Sequence, residues 1–280
     1  MAHIVVEEAE ALLDRELPVL DKGFVRLIDY LGGDQRVVQA ARVSYGAGTK
    51  SVRQDRALIH YLLSHDHTSP FEQVQLTFHV KMPIFVARQW VRHRTARLNE
   101  ISGRYSVMRD EFYLPEASTL RTQSKNNKQA RSDEPLPSDV AEAILRQMEE
   151  DQRTLYAHYE GMLAQGLARE VARCNLPLSL YTEWYWQIDL HNLFHFLRLR
   201  LDEHAQYEIR CYAQRMAECA RAVAPMSWEA FEEHHLMAVR FGRAELEALG
   251  RVLAGREPGL EGAALREFEA KLARIPRPSE

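Results

Sequence analysis

Hydrophobic positions recur along the chain at two different periods, and turn residues separate the two. In "VQLTFHVKM", Val74, Leu76, Phe78, Val80 and Met82 alternate with Gln75, Thr77, His79 and Lys81, which predicts a half-buried strand. "GFVRLIDYL" (Gly23–Leu31) is rich in β-branched and aromatic residues and reads as another strand. "LYTEWYWQID" is an aromatic-rich third, expected to serve the core rather than to stack on a ligand.

The longer period marks helices. Residues 4–17 read as a short acidic amphipathic helix. Gly32-Gly33 then breaks the preceding strand before Asp34, expected to cap the helix "QRVVQAARVSY". A helix spans Val52 to Ser64, and "HDHTSPFE" follows as a polar turn with a possible capping box from Ser69 to Glu72. Pro83 opens the helix "IFVARQWVRHR", in which Gln89, Arg92 and His93 share a face at spacings of three and four. Residues 140–165, with Val140, Ile144 and Met148 four apart, are helical, as are 190–200 and 203–223. Asn99–Tyr105 should be loop or strand start. Arg121–Asp139 lacks a hydrophobic period and reads as a mobile loop. The tail from about 237 is charged and helical. The mixture predicts an α/β domain, a sheet flanked by long helices.

Composition narrows the class. A chain of 280 residues with 46% hydrophobic and 27% charged content can bury a full core. Net charge of -4 argues against bulk nucleic-acid or membrane-surface binding but leaves room for a local basic site. The amino end has no basic n-region and no stretch reaches about 18 apolar residues, so neither signal peptide nor span is expected. Cys174, Cys211 and Cys219 form no CxxC pair, which fits free thiols in a reduced cytoplasm.

One local excess stands against that acidic background. From Arg88 to Arg104 lie five arginines, one histidine and a single acid, Glu100. Trp90 and Val91 among them imply partial burial, and one carboxylate cannot serve five guanidinium groups, so a bound anion such as phosphate is the economical partner. His65 and His67 around Asp66, and the i,i+4 pair His191 and His195 with His204 beyond, are poor metal signals. The first competes with a capping box; the second lacks the zincin glutamate and has Arg198 and Arg200 beside it. No metal is expected. Ser102 lacks a G-x-S-x-G context, no cysteine has an evident base, and no G-x-G-x-x-G or Walker loop occurs. The residues by themselves lead to an arginine-rich site for a phosphorylated ligand, with histidines nearby.

The stretch "RQWVRHRTARLNEISGRY" resembles a specific signature, the Arg-His-Arg…Ser motif of flavin-dependent thymidylate synthases, here Arg92-His93-Arg94, seven residues, Ser102. The resemblance continues through "LDKGFVRLIDYLG", "AARVSYG", "HTSPFEQVQLTFHVKMPIFVARQW", "QSKNNKQ" and "EVARCNLPLSLYTEWYWQIDLHNLFHFLRLRLDEHAQYEIR", about residues 20–235. It implies a central, largely antiparallel sheet flanked by long helices. A catalytic domain over 1–236 would carry a helical extension at 1–17 and a charged helical one at 237–280. The implied reaction is methylation of dUMP to dTMP with methylenetetrahydrofolate as carbon donor, NADPH as reductant and FAD as relay, in a cytoplasmic homotetramer with shared sites.

By resemblance, Gln89, Arg92, Glu100, Ile101, Ser102, Gly103, Arg104, Arg173 and Arg200 hold dUMP, with Arg104 and Arg173 suited to the phosphate. Arg200 stands at the uracil edge, where a cation stabilises developing enolate charge, and Ser102 orients the base. Ser69, Arg92, His93, Arg94, Glu100, Asp189, His191 and His195 match FAD positions, and His67 lies on the flavin and folate side. No enzyme nucleophile is needed, because the cofactor carries the hard chemistry. Gln123–Gln129 is expected to close over substrate. The chain departs from the pattern at Arg97, where many members have serine, and Asp189, His191 and His195 stand where some members have Asn-x-Arg and then Asn. Two other readings use the same arginines: a flavoprotein acting on a different nucleotide, and a non-catalytic nucleotide- or nucleic-acid-binding module.

Overall fold

The computed structural model describes residues 3–43, 52–124 and 131–276. Its contacts divide into two units, Met1–Trp228 and Glu229–Glu280.

In the first unit a five-stranded sheet is built from β1 (Glu16–Val19), β2 (Gly23–Leu31), β3 (Gln75–Pro83), β4 (Arg97–Glu100) and β7 (Tyr181–Asp189). Its order is β1-β2-β3-β7-β4, and every pairing is antiparallel. The predicted alternation is the reason. Leu76, Phe78 and Val80 are fully buried while Thr77 and His79 between them are only partly so, and Trp184 and Trp186 of β7 follow the same rule. Tyr185, between those tryptophans, faces the other way and stacks flat on His79 at 5.0 Å.

The helices of this unit are α1 (Glu7–Glu10), α2 (Asp34–Arg42), α3 (Val52–Ser64), α4 (Ile84–Trp90), α5 (Ser138–Ala164), α6 (Arg169–Ala172), α7 (Leu190–Arg200) and α8 (Tyr207–Val223), with α9 (Pro225–Phe231) beginning in it. Trp90, at the end of α4, is the hub of the core. Its ring meets Trp184 and Trp186 edge-on at 5.5 and 5.4 Å, lies nearly flat on Phe196 of α7 at 4.9 Å, and meets Tyr212 of α8 at 6.0 Å. Offset and edge-to-face pairs of this kind add to the burial of such large rings. One side chain thus ties strand, α4, α7 and α8 together next to the arginine-rich segment.

Several expectations are corrected. The first 17 residues give only the four-residue α1 and then enter β1, because Asp14 turns the chain at a φ of 57° and gives its N–H to Leu27 O of β2 at 2.9 Å instead of to a helical carbonyl. Asp34 does not cap its own helix. Its buried carboxylate accepts from Met226 N at 2.7 Å and from Ser227 N and Oγ at 2.9 and 2.6 Å, so it caps α9 from a distance. No capping box forms at Ser69, and Glu72 accepts from Thr68 Oγ1 instead. Helix α4 stops at Trp90, so Arg92 and His93 lie in the turn beyond it rather than on a helical face with Gln89. Within the expected loop 121–139, β5 (Arg121–Gln123) and β6 (Arg131–Pro135) pair antiparallel, and Thr122 and Ser132 share a 2.6 Å hydrogen bond. The stretch expected to close over substrate falls largely on 125–130, outside the described residues, as do the last three residues of the "AARVSYG" segment.

The second unit contains a π-helical turn at Glu232–Leu236, then α10 (Arg243–Leu253) and α11 (Gly262–Ala273). Phe268 and Ala248 are buried between these helices, Phe241 meets Phe268 edge-on, and Lys271 Nζ binds Glu245 at 2.6 Å and Glu267 at 3.3 Å. Among the described residues no helix is long and apolar enough to cross a membrane.

Candidate functional site

The first cluster gathers where α4 and α7 end. Beyond Trp90 the chain leaves the helix, and Arg92 and Arg94 project into solvent while His93 turns inward. Arg200 Nε donates to His93 Nε2 at 3.1 Å, which leaves the ring neutral with its proton on Nδ1. The His93 ring also meets Phe196 edge-on at 4.8 Å and His195 at 6.0 Å. Burial, helped by the Arg200 and His195 charges, pushes His93 down to about 4. His195 is depressed by burial and by Arg198 and His191, and burial also lowers Arg200. The arginine therefore holds its charge half-buried beside a neutral partner, an arrangement that favours an added anion. Among the described residues no carboxylate pairs with Arg92, Arg94 or Arg97.

Asp189 stands at the start of α7 as its N-cap, accepting from Asn192 N at 2.9 Å and Asn192 Nδ2 at 2.7 Å. That fixes the helix carrying His191, His195 and Arg200, and it commits both carboxylate oxygens locally. Gln89 donates to the Gln206 side chain at the entry to α8.

A second cluster follows β4. Glu100 accepts from buried Thr182 Oγ1 at 2.6 Å, and Ile101 N donates to Glu183 O at 2.9 Å, so β7 holds the exit of this exposed edge strand. The next residues turn tightly: Tyr105 N and Ser106 N both donate to Ser102 O, and Arg104 N lies 3.3 Å from Ser102 Oγ. Gly103 is required here by close approach. A Cβ would fall 2.9 Å from Met108 Sδ and 3.0 Å from Arg173 Cδ, so only glycine lets Arg173 lie against the turn. Arg104 pairs with Glu170 at 3.3 Å on the surface. The structure thus unites Ser102, Gly103, Arg104 and Arg173, and separately His93, His195 and Arg200.

His67 and Ser69 sit in the exposed turn after α3. His67 N donates to Leu62 O at 2.8 Å, and its ring meets Tyr61 edge-on at 5.9 Å. His65 donates through Nδ1 to Tyr61 O at 2.9 Å.

Sequence reasoning missed one connected group. Glu208 of α8 is only 2% exposed, and it accepts from Arg131 of β6, from Tyr113 OH at 3.2 Å and from Gln206 Nε2 at 2.8 Å. The available signal was a carboxylate on the apolar stripe of α8, in register with Tyr212 and Met216. Gln206 and Arg131 also line a cleft of about 730 Å³ with Arg121, His204, Tyr207 and Arg210. The thiols offer no activated nucleophile in the interior: burial pushes Cys219 up to about 12 and raises Cys211.

The comparisons with known proteins agree with one another. The family model described as thymidylate synthase complementing protein matches residues 26–226, and that of the thymidylate synthase ThyX C-terminal domain matches 239–275. The flavin-dependent thymidylate synthase of Treponema denticola is 58% identical over 260 residues, covering 93% of this chain and 98% of its own. That of Rickettsia bellii is 50% identical, covering 95% and 96%. Among solved structures, a UMP/dUMP methylase, PolB from Streptomyces cacaoi bound with 5-Br dUMP, superposes with a TM-score of 0.72 at 32% identity, covering 79% of this chain and 99% of that one. With the antiparallel sheet, the arginine clusters and the lack of an activated interior thiol, these matches place the chain among the flavin-dependent thymidylate synthases, as an enzyme of that family.

Proposed function

We propose that the protein converts dUMP to dTMP, taking the carbon from methylenetetrahydrofolate and reducing equivalents from NADPH through bound FAD. The observation that carries this reading is the Arg200–His93 contact. His93 occupies Nε alone, which leaves the four Nη hydrogens of a half-buried guanidinium for a ligand. Aimed at the N3–O4 edge of uracil, they would stabilise the charge that makes C5 nucleophilic. The C5 hydrogen then leaves as a proton when the carbon is added.

The chain's residues fit the flavin. Arg92 and Arg94 offer unpaired guanidinium donors to a pyrophosphate, and His93 and His195 offer neutral or weakly basic rings beside it. FAD, when bound, supplies the redox relay between NADPH and the transferred carbon. His191 and Ser69 complete this set, while Asp189 contributes by fixing α7. For dUMP, Gln89, Arg92 and Arg200 come from the first cluster. Glu100, Ile101, Ser102, Gly103, Arg104 and Arg173 come from the second, with Arg173 and Arg104 suited to the phosphate. Ser102, in its tight turn, orients the base, and His67 faces the flavin and folate side. A homotetramer in which one subunit's first cluster meets another's second would complete each site. In this reading residues 1–236 carry catalysis and 237–280 form an appended extension.

Flavin absorbance of the purified protein and release of tritium from [5-³H]dUMP test the reading together. Both are expected; absence of both after FAD supplementation would overturn it.

A further inference from the structure

The buried group around Glu208 has a directional chemistry. A carboxylate accepts hydrogen bonds and, when ionised, donates none. At 2% exposure it can stay charged only if its lone pairs are served, and Arg131, Tyr113 and Gln206 serve them. Burial alone would raise this carboxyl; the hydrogen bonds from Arg131 and Gln206 prevail and hold it below the usual carboxylate range.

The consequence runs outward through two side-chain amides. Because Glu208 Oε2 can only accept, Gln206 must turn its Nε2 inward, and its Oε1 then faces Gln89. Gln89 in turn must present Nε2 to that oxygen. An amide free in solution has no such preference, since its two ends are nearly the same size and rotate readily. Here the polarity of Gln89 is decided by a residue that no ligand need touch.

We propose that Glu208 is a positioning residue that, through Gln206, sets the amide polarity of Gln89 so that Gln89 Oε1 is the atom left for a hydrogen-bond donor on the nucleotide. The inference rests on the reading that Gln89 binds dUMP. Two groups of dUMP could donate, the uracil N3–H and the ribose 3′-hydroxyl. Glu208→Gln should invert the relay. The new amide keeps its oxygen toward Arg131 and Tyr113 and places its nitrogen toward Gln206, which must then flip, and Gln89 with it.

The test is equilibrium dialysis of dUMP against the FAD-loaded full chain, with kcat and KM measured beside it. Glu208→Gln should weaken dUMP binding about tenfold, equivalent to about 1.4 kcal/mol, with flavin content kept and kcat at saturation changed much less than KM. Gln206→Leu removes the relay while leaving Glu208 its Arg131 and Tyr113 partners; it frees Gln89 to turn either end to the ligand, so it should weaken dUMP by a smaller factor than Glu208→Gln, and it keeps the relay testable should that variant fold poorly. Combined with Gln89→Ala, neither variant should add a further loss. The Glu208→Gln penalty should vanish for whichever analogue lacks the contacted donor, 3-methyl-dUMP or 2′,3′-dideoxyuridine monophosphate. If Gln89→Ala weakens dUMP but Glu208→Gln and Gln206→Leu do not, the relay is wrong and the Gln89 reading stands. If Gln89→Ala has no effect, both fall. An equal penalty for dUMP and both analogues would also overturn the proposal, because a purely structural role would not distinguish them.

Discussion

Arginine is used in opposite ways at the two clusters. At the end of α7, Arg200 is half-buried against a neutral histidine, with its charge unanswered by any carboxylate among its hydrogen-bond partners. Beside the turn after β4, Arg104 is 57% exposed and paired with a Glu170 that is 55% exposed. The first arrangement holds a cation in place before a ligand arrives, and its energy is recovered only when an anion or a developing negative charge is supplied. The second costs little and contributes little, because water screens both charges. A guanidinium's role is therefore set by what surrounds it, which is why five arginines within seventeen residues did not by themselves say which mattered.

Substitutions can break this contrast, beginning with the largest expected effect. Arg200→Ala should keep flavin yet lose turnover by on the order of 10²-fold, the scale for removing one preorganised electrostatic donor. Tritium release from [5-³H]dUMP measures it, and unaltered release would remove Arg200 from the chemistry.

The pH dependence of stability comes next. His93 titrates at about 4 in the folded protein, below its ordinary 6.5, so the unfolded chain binds more protons between those values. Its contribution to stability is complete above 6.5 and is lost as pH falls toward 4. His93→Gln should flatten that part of a Tm-against-pH curve; an unchanged slope would mean that His93 is not held neutral.

Asp189→Ala should cost about 1 kcal/mol through loss of the α7 cap, read as a lower Tm, with Asp189→Asn or Asp189→Ser recovering most of it. Full loss from the Asn variant would show that the charge serves more than the cap. At the small end, Glu170→Gln should move stability by less than about 0.5 kcal/mol in chemical denaturation. A larger change would erase the difference between the two clusters.

Much of the fold was written in local pattern. Period-2 alternation located β3 within a residue, and Gly23–Leu31 and Val52–Ser64 are the bounds of β2 and α3 as expected. These segments succeed because strand and helix place side chains by fixed geometry. Failures came where a distant partner won. Asp34 looked like a local cap but serves Met226 and Ser227, 192 and 193 residues away. Helix α4 had helical residues beyond Trp90, yet it ends there, and His93 takes its side-chain partner from Arg200, 107 positions away.

The sequence alone determined the longest strands and helices, the arginine excess and its likeness to a family signature, since each is a property of neighbouring residues. Only the tertiary structure decided which arginine is half-buried beside a neutral histidine, that Gly103 must be small to seat Arg173, and that Glu208 governs Gln206 and Gln89. Those are matters of burial and hydrogen-bond direction between segments far apart in the chain. No local spacing encodes them, because the dielectric environment and the partner of each group exist only once the sheet and α8 have packed.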